Sequence, residues 1–180
     1  MTDKCIILID GSNFYFKLKD LKLPDLLQFD FSGFAKMLAG DDSIVQATYY
    51  IGKVSTHPQS EKGKKMLAAQ QKLFEHLKKH KISYSLGYLL KSDGVYHEKG
   101  VDVNIAVDIL VAAYENLCGR VILVSSDTDL LPAIKKAREK GKIVEYVGFS
   151  HQRSHALTNL CSKYKLLSKK DMEQFVKEKQ

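Results

Sequence analysis

The sequence predicts an α/β fold built around a central, mainly parallel sheet of about five strands. Short apolar runs rich in β-branched residues alternate with segments of helical period along most of the chain. Strands that alternate with helices are joined by right-handed crossovers, which makes the strands parallel. The first run, "CIILID", is apolar without alternation, as expected for a strand that is covered on both faces.

The first half of the chain contains three predicted strands: "CIILID" (5–10), "SIVQATYYIG" (43–52) and "KISYSLGYLL" (81–90). Two helices are predicted between them, and a polar loop follows the third strand: "FSGFAKMLAG" (31–40), "SEKGKKMLAAQQKLFEHLKKH" (60–80) and the loop "KSDGVYHEKG" (91–100). The first helix ends at Gly40, and the second is amphipathic because its apolar residues recur with helical spacing between lysines.

The second half continues the alternation with a helix, a strand, a helix and a strand: "VDVNIAVDILVAAYENL" (101–117), "RVILVSS" (120–126), "DLLPAIKKAREKG" (129–141) and "KIVEYVG" (142–148). Pro132 is tolerated because it falls in the first turn of its helix. We therefore assign one domain to residues 1–150. Residues 151–180 are predicted to form a helical extension that packs on the same domain, with its last residues frayed.

The composition is that of a soluble globular protein, with 44% hydrophobic and 27% charged residues in 180. No apolar stretch approaches the ~20 residues of a membrane span, and no signal-peptide pattern opens the chain. The three cysteines, which include no C-x-x-C pair, indicate reduced, buried thiols in a cytoplasmic protein. The net charge of +7, with lysine clusters that include Lys64 and Lys65, favours a polyanionic partner over a membrane.

Acidic residues follow two of the predicted strands directly. Asp10 ends the first strand, with Asn13 three residues later, and Asp127 and Asp129 follow the fourth. In an open parallel sheet the carboxyl ends of the strands share one edge, and ligands bind where the strand order reverses. If the first strand is central, with the second and third on one side and the fourth and fifth on the other, the reversal lies between the two strands that carry these acids.

A further acid begins the helix that follows the third strand. Asp102 shares a helix face with Ala106, Ile109 and Ala113, so it heads an apolar stripe that faces the sheet. Asp108 lies on the polar face of the same helix and is interpreted as solvated or as a neighbour of the site. Asp102 is therefore expected at the same edge of the sheet as the other acids.

Each of these acids could simply cap a helix, because aspartate is a favoured N-cap residue. Several separate elements that point carboxylates at one crevice indicate a bound cation as well as capping, because crowded carboxylates stay ionised only beside positive charge. Mg²⁺ and Mn²⁺, which prefer oxygen ligands, are the natural compensating ions. Acid clusters of this kind serve hydrolysis of phosphate esters by metal-activated water.

The motifs "LIDGSN", "KGVDVNIAVD" and "ILVSSDTDLLPAIKKAREKGKIVEYVG" resemble, in this order and spacing, the NYN domain and its LabA-like branch, over approximately residues 4–149. The resemblance implies a three-layer α/β/α, Rossmann-like fold related to PIN-domain nucleases. It also implies a Mg²⁺- or Mn²⁺-dependent nuclease centre that acts on RNA. The acids of the family's motifs fall on Asp10, Asp102, Asp127 and Asp129, and the asparagine falls on Asn13. Ser126 and Thr128 stand where the usual motif has glycine and serine.

The leading hypothesis is therefore a metal-dependent endoribonuclease that hydrolyses RNA through a Mg²⁺- or Mn²⁺-activated water held by the aspartates. Asp10, Asp102 and Asp127 would hold the metal, and Asp129 would complete the shell or orient the water. Asn13 would donate a hydrogen bond to a carboxylate or a phosphate oxygen. The expected partner is single-stranded RNA. The sequence leaves open whether the chain forms a homo-oligomer. Nucleic-acid contacts are predicted for four side chains: Lys99, Tyr15, Lys64 and Lys65.

Two other classes of protein fit less of the sequence. A non-catalytic module could use the same crevice to bind RNA or a nucleotide, and Ser126, whose side chain could narrow the approach of a nucleotide backbone, slightly favours it. A phosphatase on a related fold would need a second acid two residues after Asp10, where "DGSN" has none.

Overall fold

The central sheet consists of parallel strands. The computed structural model describes residues 3–23, 25–54, 61–92 and 95–176. The strands in chain order are β1 (Lys4–Asp10), β2 (Ser43–Ile51), β3 (Ser83–Leu86), β4 (Tyr88–Ser92), β5 (Val95–Lys99), β6 (Arg120–Val124), β7 (Ile143–Phe149) and β8 (Lys163–Leu167). The strand order in the central sheet is β3-β2-β1-β6-β7-β8. The reversal of strand order predicted between the first and fourth strands of the sequence is confirmed, because β1 lies between β2 and β6, which is the fourth predicted strand.

Helices connect most of these strands: α1 (Gly11–Asp20), α2 (Phe31–Ala39), α3 (Glu61–Lys79), α4 (Val101–Tyr114), α5 (Leu131–Glu139), α6 (His155–Leu160) and α7 (Lys169–Glu173). Local capping sets several of their ends. The side chain of Asp30 accepts a hydrogen bond from the backbone of Gly33 at the start of α2, and Gly40 follows its end with a φ of 61°. Among the helices that the structure describes, none combines the length and the apolar character that crossing a membrane requires.

The sheet separates two hydrophobic cores. Cys5, Ile7 and Ile9 of β1 pack on one face against α1, α2, α3 and α7. Ile6 and Leu8 pack on the other face against α4, α5 and α6. Because successive side chains of a strand point to opposite faces, the continuous apolar run of β1 serves both cores. This arrangement is the three-layer α/β/α fold that the sequence predicted.

The structure differs from the sequence prediction in several segments. The predicted third strand at 81–90 is divided at Gly87 into β3, which belongs to the central sheet, and β4, which pairs with β5. Within the predicted loop at 91–100, the described residues instead form the end of β4 and all of β5, which pair antiparallel with Tyr88 opposite Lys99. The extension from residue 151, predicted to be helical, adds the sixth parallel strand β8 beside β7 before the short α7. A strand here satisfies the outer hydrogen-bonding edge of β7, which a helix could not do. Residues 177–180, predicted to fray, lie outside the described residues.

The three cysteines are free and buried, as predicted. Burial raises the pKa of each thiol, and it brings the pKa of Cys161 to about 11. A thiol with so high a pKa is a poor nucleophile at neutral pH. These residues therefore act as small core side chains.

Candidate functional site

Asp10 ends β1 and is also the N-cap of α1. Its Oδ1 accepts a hydrogen bond of 3.0 Å from the backbone N–H of Asn13, and its Oδ2 accepts one of 2.9 Å from the hydroxyl of Ser125. Only 8% of the residue is exposed. The capping role considered from the sequence is therefore real. Capping alone does not explain why this carboxylate is buried and also accepts a hydrogen bond from Ser125, the residue that follows β6.

Gly11 explains why the chain can turn so closely behind Asp10. A Cβ atom at this position would lie 2.5 Å from the backbone oxygen of Tyr50 and 2.8 Å from Cζ of Tyr49. The hydroxyl of Tyr49 donates a hydrogen bond of 3.0 Å to the carbonyl of Gly11. Only glycine permits this approach of α1 to β2, and the contact fixes the position of Asp10 at the sheet edge.

Ser125 joins the two acid-bearing strand ends. It is 2% exposed, donates to Asp10 as described, and accepts a hydrogen bond of 3.1 Å from the backbone N–H of Asp127. Oδ1 of Asp127 in turn accepts a hydrogen bond of 2.9 Å from the backbone N–H of Asp129. The sequence reasoning did not assign Ser125 a role. The signal was present, since a hydroxyl residue directly follows the buried run of β6.

Asp102 reaches the same edge from α4. Gly100, which precedes the helix, has a φ of 86°, and a Cβ atom there would lie 2.9 Å from Cζ of Tyr88. This left-handed residue lets the chain leave β5 and enter α4 with Asp102 in the first turn. Along the predicted stripe, Ile109 and Ala113 are buried in the core beneath the helix, as expected.

One cavity of about 640 Å³ brings most of the predicted residues together. Its lining consists of Asp10, Ser12, Asn13, Phe16, Lys99, Gly100, Val101, Asp102 and Asp127. Three of the four predicted acids therefore share one space with Asn13 and Lys99. Asp129 is exposed and is not among the lining residues.

The protein environment shifts the ionisation of Asp10. Burial raises the pKa of Asp10, the hydrogen bonds from Asn13, Ser125 and Ser12 oppose this, and the nearby charge of Asp127 raises it further. A carboxyl group in this environment ionises less readily than one in water. A cation in the cavity would reverse that preference.

The side chains present fit a hard divalent cation in their chemistry, because carboxylate oxygens are the ligands that Mg²⁺ and Mn²⁺ prefer. Within the described residues, no group of three or more His, Cys, Asp or Glu side chains is close enough together to hold a metal ion. Mg²⁺ usually keeps several waters and takes only one or two carboxylates directly. The three acids therefore fit an ion that is bound partly through water.

The remaining predicted residues lie around this cavity or away from it. Tyr15 does not line it, whereas Phe16, which the sequence reasoning passed over, does. Lys64 and Lys65 are exposed on α3, where Lys64 pairs with Glu61 at 2.8 Å. Asp108 is half-buried and accepts a hydrogen bond from the hydroxyl of Tyr50.

Ser126 does not narrow the cavity. Its hydroxyl lies 3.2 Å from the hydroxyl of Tyr146 on β7, and Ser126 is not among the residues that line the space between the acids. The hydroxyl of Tyr146 also accepts a hydrogen bond of 3.0 Å from the backbone of Ser154, just before α6. The side chain that replaces the motif's glycine therefore faces β7 and α6.

Comparison with known proteins adds a family and a fold. A model of the NYN domain matches residues 4–167, which extends through β8. An uncharacterized protein of Methanocaldococcus jannaschii is 40% identical over 60 residues, which cover 33% of this chain and 25% of that protein. The chain thus spans about a quarter of the length of this curated relative.

One solved structure shares the architecture of this chain. A crystal structure of a protein of unknown function from Vibrio parahaemolyticus aligns with a TM-score of 0.69 at 22% identity, and the alignment covers 93% of each chain. This likeness shows a shared fold. A bacteriophage flap endonuclease, solved with DNA and metal ions, aligns with a TM-score of 0.47 at 17% identity over 86% of this chain and 58% of that one. The second alignment is too weak to bear on function.

Proposed function

The chain belongs to the NYN domain family, and on that premise we propose that the protein is a metal-dependent endoribonuclease that hydrolyses phosphodiester bonds of single-stranded RNA. The observation that carries the proposal is the shared cavity of Asp10, Asp102 and Asp127. These acids come from the end of β1, the first turn of α4 and the exit of β6. Helix capping alone would not require these three carboxylates to share one cavity.

The protein's own residues would divide the work as follows. Asp10, Asp102 and Asp127 would hold one or two Mg²⁺ or Mn²⁺ ions, directly or through water. When bound, such an ion acts as a Lewis acid that lowers the pKa of water and neutralises phosphate charge. Asn13 and Ser125 keep the carboxylate of Asp10 in one orientation through the hydrogen bonds described above.

Lys99 and Asp129 would act at the edge of this centre. Lys99 lines the cavity and is exposed, so its ammonium group can meet a phosphate oxygen of the RNA. Asp129 lies outside the lining but donates its backbone N–H to Asp127. We assign it an outer role, in which it orients Asp127 or water at the cavity mouth.

The second candidate is a non-catalytic RNA- or nucleotide-binding module. It is favoured by the absence, within the described residues, of a ready-made group of three metal-binding side chains. In that case the three acids would not bind a divalent ion, and the lysines would carry the affinity for RNA. The two candidates differ in one measurable property, which is cleavage that depends on a divalent metal.

The test is incubation of labelled single-stranded RNA and single-stranded DNA with the purified protein in Mg²⁺, in Mn²⁺ and in chelator. We expect cleavage of internal RNA bonds with metal and intact RNA with chelator. Asp127→Asn should abolish the activity. The matched control is Asp41→Asn, because Asp41 is exposed and precedes β2 at the opposite edge of the sheet. RNA that binds but stays intact under every metal condition would favour the binding module.

A further inference from the structure

A second cavity of about 440 Å³ adjoins the acidic one. The two share Ser12 and Phe16, both on α1, so they lie side by side along this helix. The walls of the second cavity are mostly apolar. Leu26, Leu27 and Leu73 contribute to them, together with the ring of Tyr49.

Two aromatic side chains of α1 stand at this cavity with large exposed areas. Tyr15 is 46% exposed and Phe16 is 58% exposed, whereas their neighbour Phe14 is fully buried in the core. Their ring centroids are 5.5 Å apart at an interplanar angle of 68°. Exposed aromatic faces are typical of proteins that stack unpaired bases.

The polar groups of the cavity differ in how far the protein itself uses them. Gln70 is fully engaged, because its amide N–H donates to the carbonyl of Gly52 at 2.7 Å and its oxygen accepts from the backbone of Val54 at 3.1 Å. Gln70 therefore fixes the chain after β2 against α3 and shapes the wall. Asp25 is exposed, and among the described contacts only its Oδ1 is engaged, by the backbone N–H of Leu27 at 3.1 Å.

We propose that this second cavity is a subsite for one unpaired base of the RNA strand whose phosphate lies in the acidic cavity. The inference rests on the proposed function, since it takes the acidic cavity as the phosphate position. Tyr15 and Phe16 hold the flat base, and the carboxylate of Asp25 accepts a hydrogen bond from an exocyclic amino group. Guanine, adenine and cytosine carry such a group and uracil does not, so the subsite favours the first three.

An apolar segment of a partner protein fits these observations less well. An apolar protein segment has no charged group to place in the adjoining acidic cavity, whereas a nucleotide places a charged phosphate and a flat apolar base side by side. The acidic cavity therefore suits the phosphate of a nucleotide with its metal ion, and the mostly apolar cavity beside it suits the base.

The test fills the cavity from an exposed position. Ala69 on α3 is exposed and lines the cavity, so Ala69→Phe puts a ring into the space without replacing a core residue. Ala68→Phe is the matched control, because Ala68 is exposed on the same helix but is not a lining residue. The probe is a short oligouridine with one 2-aminopurine, placed at each position in turn. Its binding is measured in chelator and also in Ca²⁺, which takes oxygen ligands in a less strict geometry than Mg²⁺ and can neutralise the acids beside the phosphate. The fluorescence of 2-aminopurine falls when the base stacks on an aromatic ring.

We expect quenching with the unmodified protein and with Ala68→Phe, and weak quenching with roughly tenfold weaker binding for Ala69→Phe, as expected for loss of one stacked base. Equal binding and quenching by the two phenylalanine variants would overturn the subsite. So would the absence of quenching at every position of the probe.

A second variant keeps the test decisive if Ala69→Phe folds poorly. Asp25→Asn preserves the cap at Leu27, since asparagine also caps, but it replaces an acceptor oxygen with a donor amide. It should reduce the preference for 2-aminopurine over uracil at the bound position, and an unchanged preference would overturn the role of Asp25. Cleavage and base binding fail separately: quenching without metal-dependent cleavage removes the nuclease proposal alone, and cleavage without quenching removes the subsite alone.

Discussion

The hydroxyl of Ser125 donates a hydrogen bond of 2.9 Å to Oδ2 of Asp10, across the two strands between which the order of the sheet reverses. The same hydroxyl oxygen accepts the backbone N–H of Asp127 at 3.1 Å. One buried side chain therefore connects the acid at the end of β1 with the acid that follows β6. This connection makes the position and the ionisation of Asp10 sensitive to a residue that does not line the cavity.

Ser125→Ala should lower the stability of the fold and raise the pKa of Asp10. The change leaves a buried acceptor and a half-buried donor without their partner, which costs about 1–3 kcal/mol of unfolding free energy. It also removes one of the hydrogen bonds that lower the pKa of Asp10, so this pKa should rise further. We expect the rising limb of the pH–rate profile for RNA cleavage to move to higher pH.

Ser126→Ala is the control for this change, because its hydroxyl contacts Tyr146 and not Asp10. Its pH–rate profile should match that of the unmodified protein. Identical profiles for the two alanine variants would show that Ser125 does not tune Asp10.

Asp10→Asn should stabilise the metal-free protein at neutral pH while abolishing cleavage. The pKa of Asp10 is raised in the folded state, first by burial and also by Asp127. Such a group contributes stability below its unfolded pKa of about 4, and this stability is lost as the pH rises through the folded pKa. An asparagine does not ionise, so the gain should be larger at about pH 7 than at about pH 4. Urea unfolding in chelator at the two pH values measures it, and a gain that is independent of pH would contradict the argument.

The parallel sheet and the shared edge could be predicted from the sequence because they follow from local patterns. Apolar runs and helical periods predict parallel strands whose carboxyl ends meet at one edge, and with the first strand taken as central they place β1 beside β6 and Asp10 beside Asp127. β8 could not be predicted this way, because "KYKLL" is short and its pairing depends on the open edge of β7, which is a long-range property. The antiparallel pair of β4 and β5 was missed since its turn signal also suits a plain loop.

The candidate site was predictable in its acids and less so in its neighbours. Which side chains enter a cavity depends on the helix rotation that packing imposes. Phe14 is turned inward by the core, and this leaves Phe16 at the acidic cavity and Tyr15 at the neighbouring one. Ser125 was missed because the two serines after β6 form no periodic pattern, although a hydroxyl residue does directly follow the buried run.

Reversing Lys64 and Lys65 to glutamate should flatten the salt dependence of RNA binding. Both residues are exposed on α3, whose Ala69 and Leu73 line the second cavity, so an RNA strand that fills it passes close to this helix. Each lysine–phosphate contact releases counterions and adds to the slope of log K against log salt, by roughly 0.7 per contact for a single strand. Binding measured at several salt concentrations gives the slope.

The matched double reversal is Lys169 and Lys170 to glutamate, on α7 of the same face of the sheet. We expect it to leave the slope nearly unchanged. If the tail variant flattens the slope and the α3 variant does not, the RNA path runs along the C-terminal extension.

Mn²⁺ should raise the melting temperature of the protein, and Asp127 and Asp129 should differ in their contribution. An ion that binds the native cavity but not the unfolded chain stabilises by RT ln(1 + [L]/Kd), which is roughly 2.7 kcal/mol at a hundredfold excess over Kd. At about 2–4 °C per kcal/mol for a chain of this size, the midpoint should rise by several degrees. The shift should vanish in Asp127→Asn, whose carboxylate lines the cavity, and largely persist in Asp129→Asn, whose side chain lies outside it. Calorimetry with and without millimolar Mn²⁺ measures these shifts. Equal midpoints with and without Mn²⁺ for the unmodified protein would mean that the acids bind no ion. The non-catalytic binding module would then be the better account, because the lysines could still bind RNA without cleaving it.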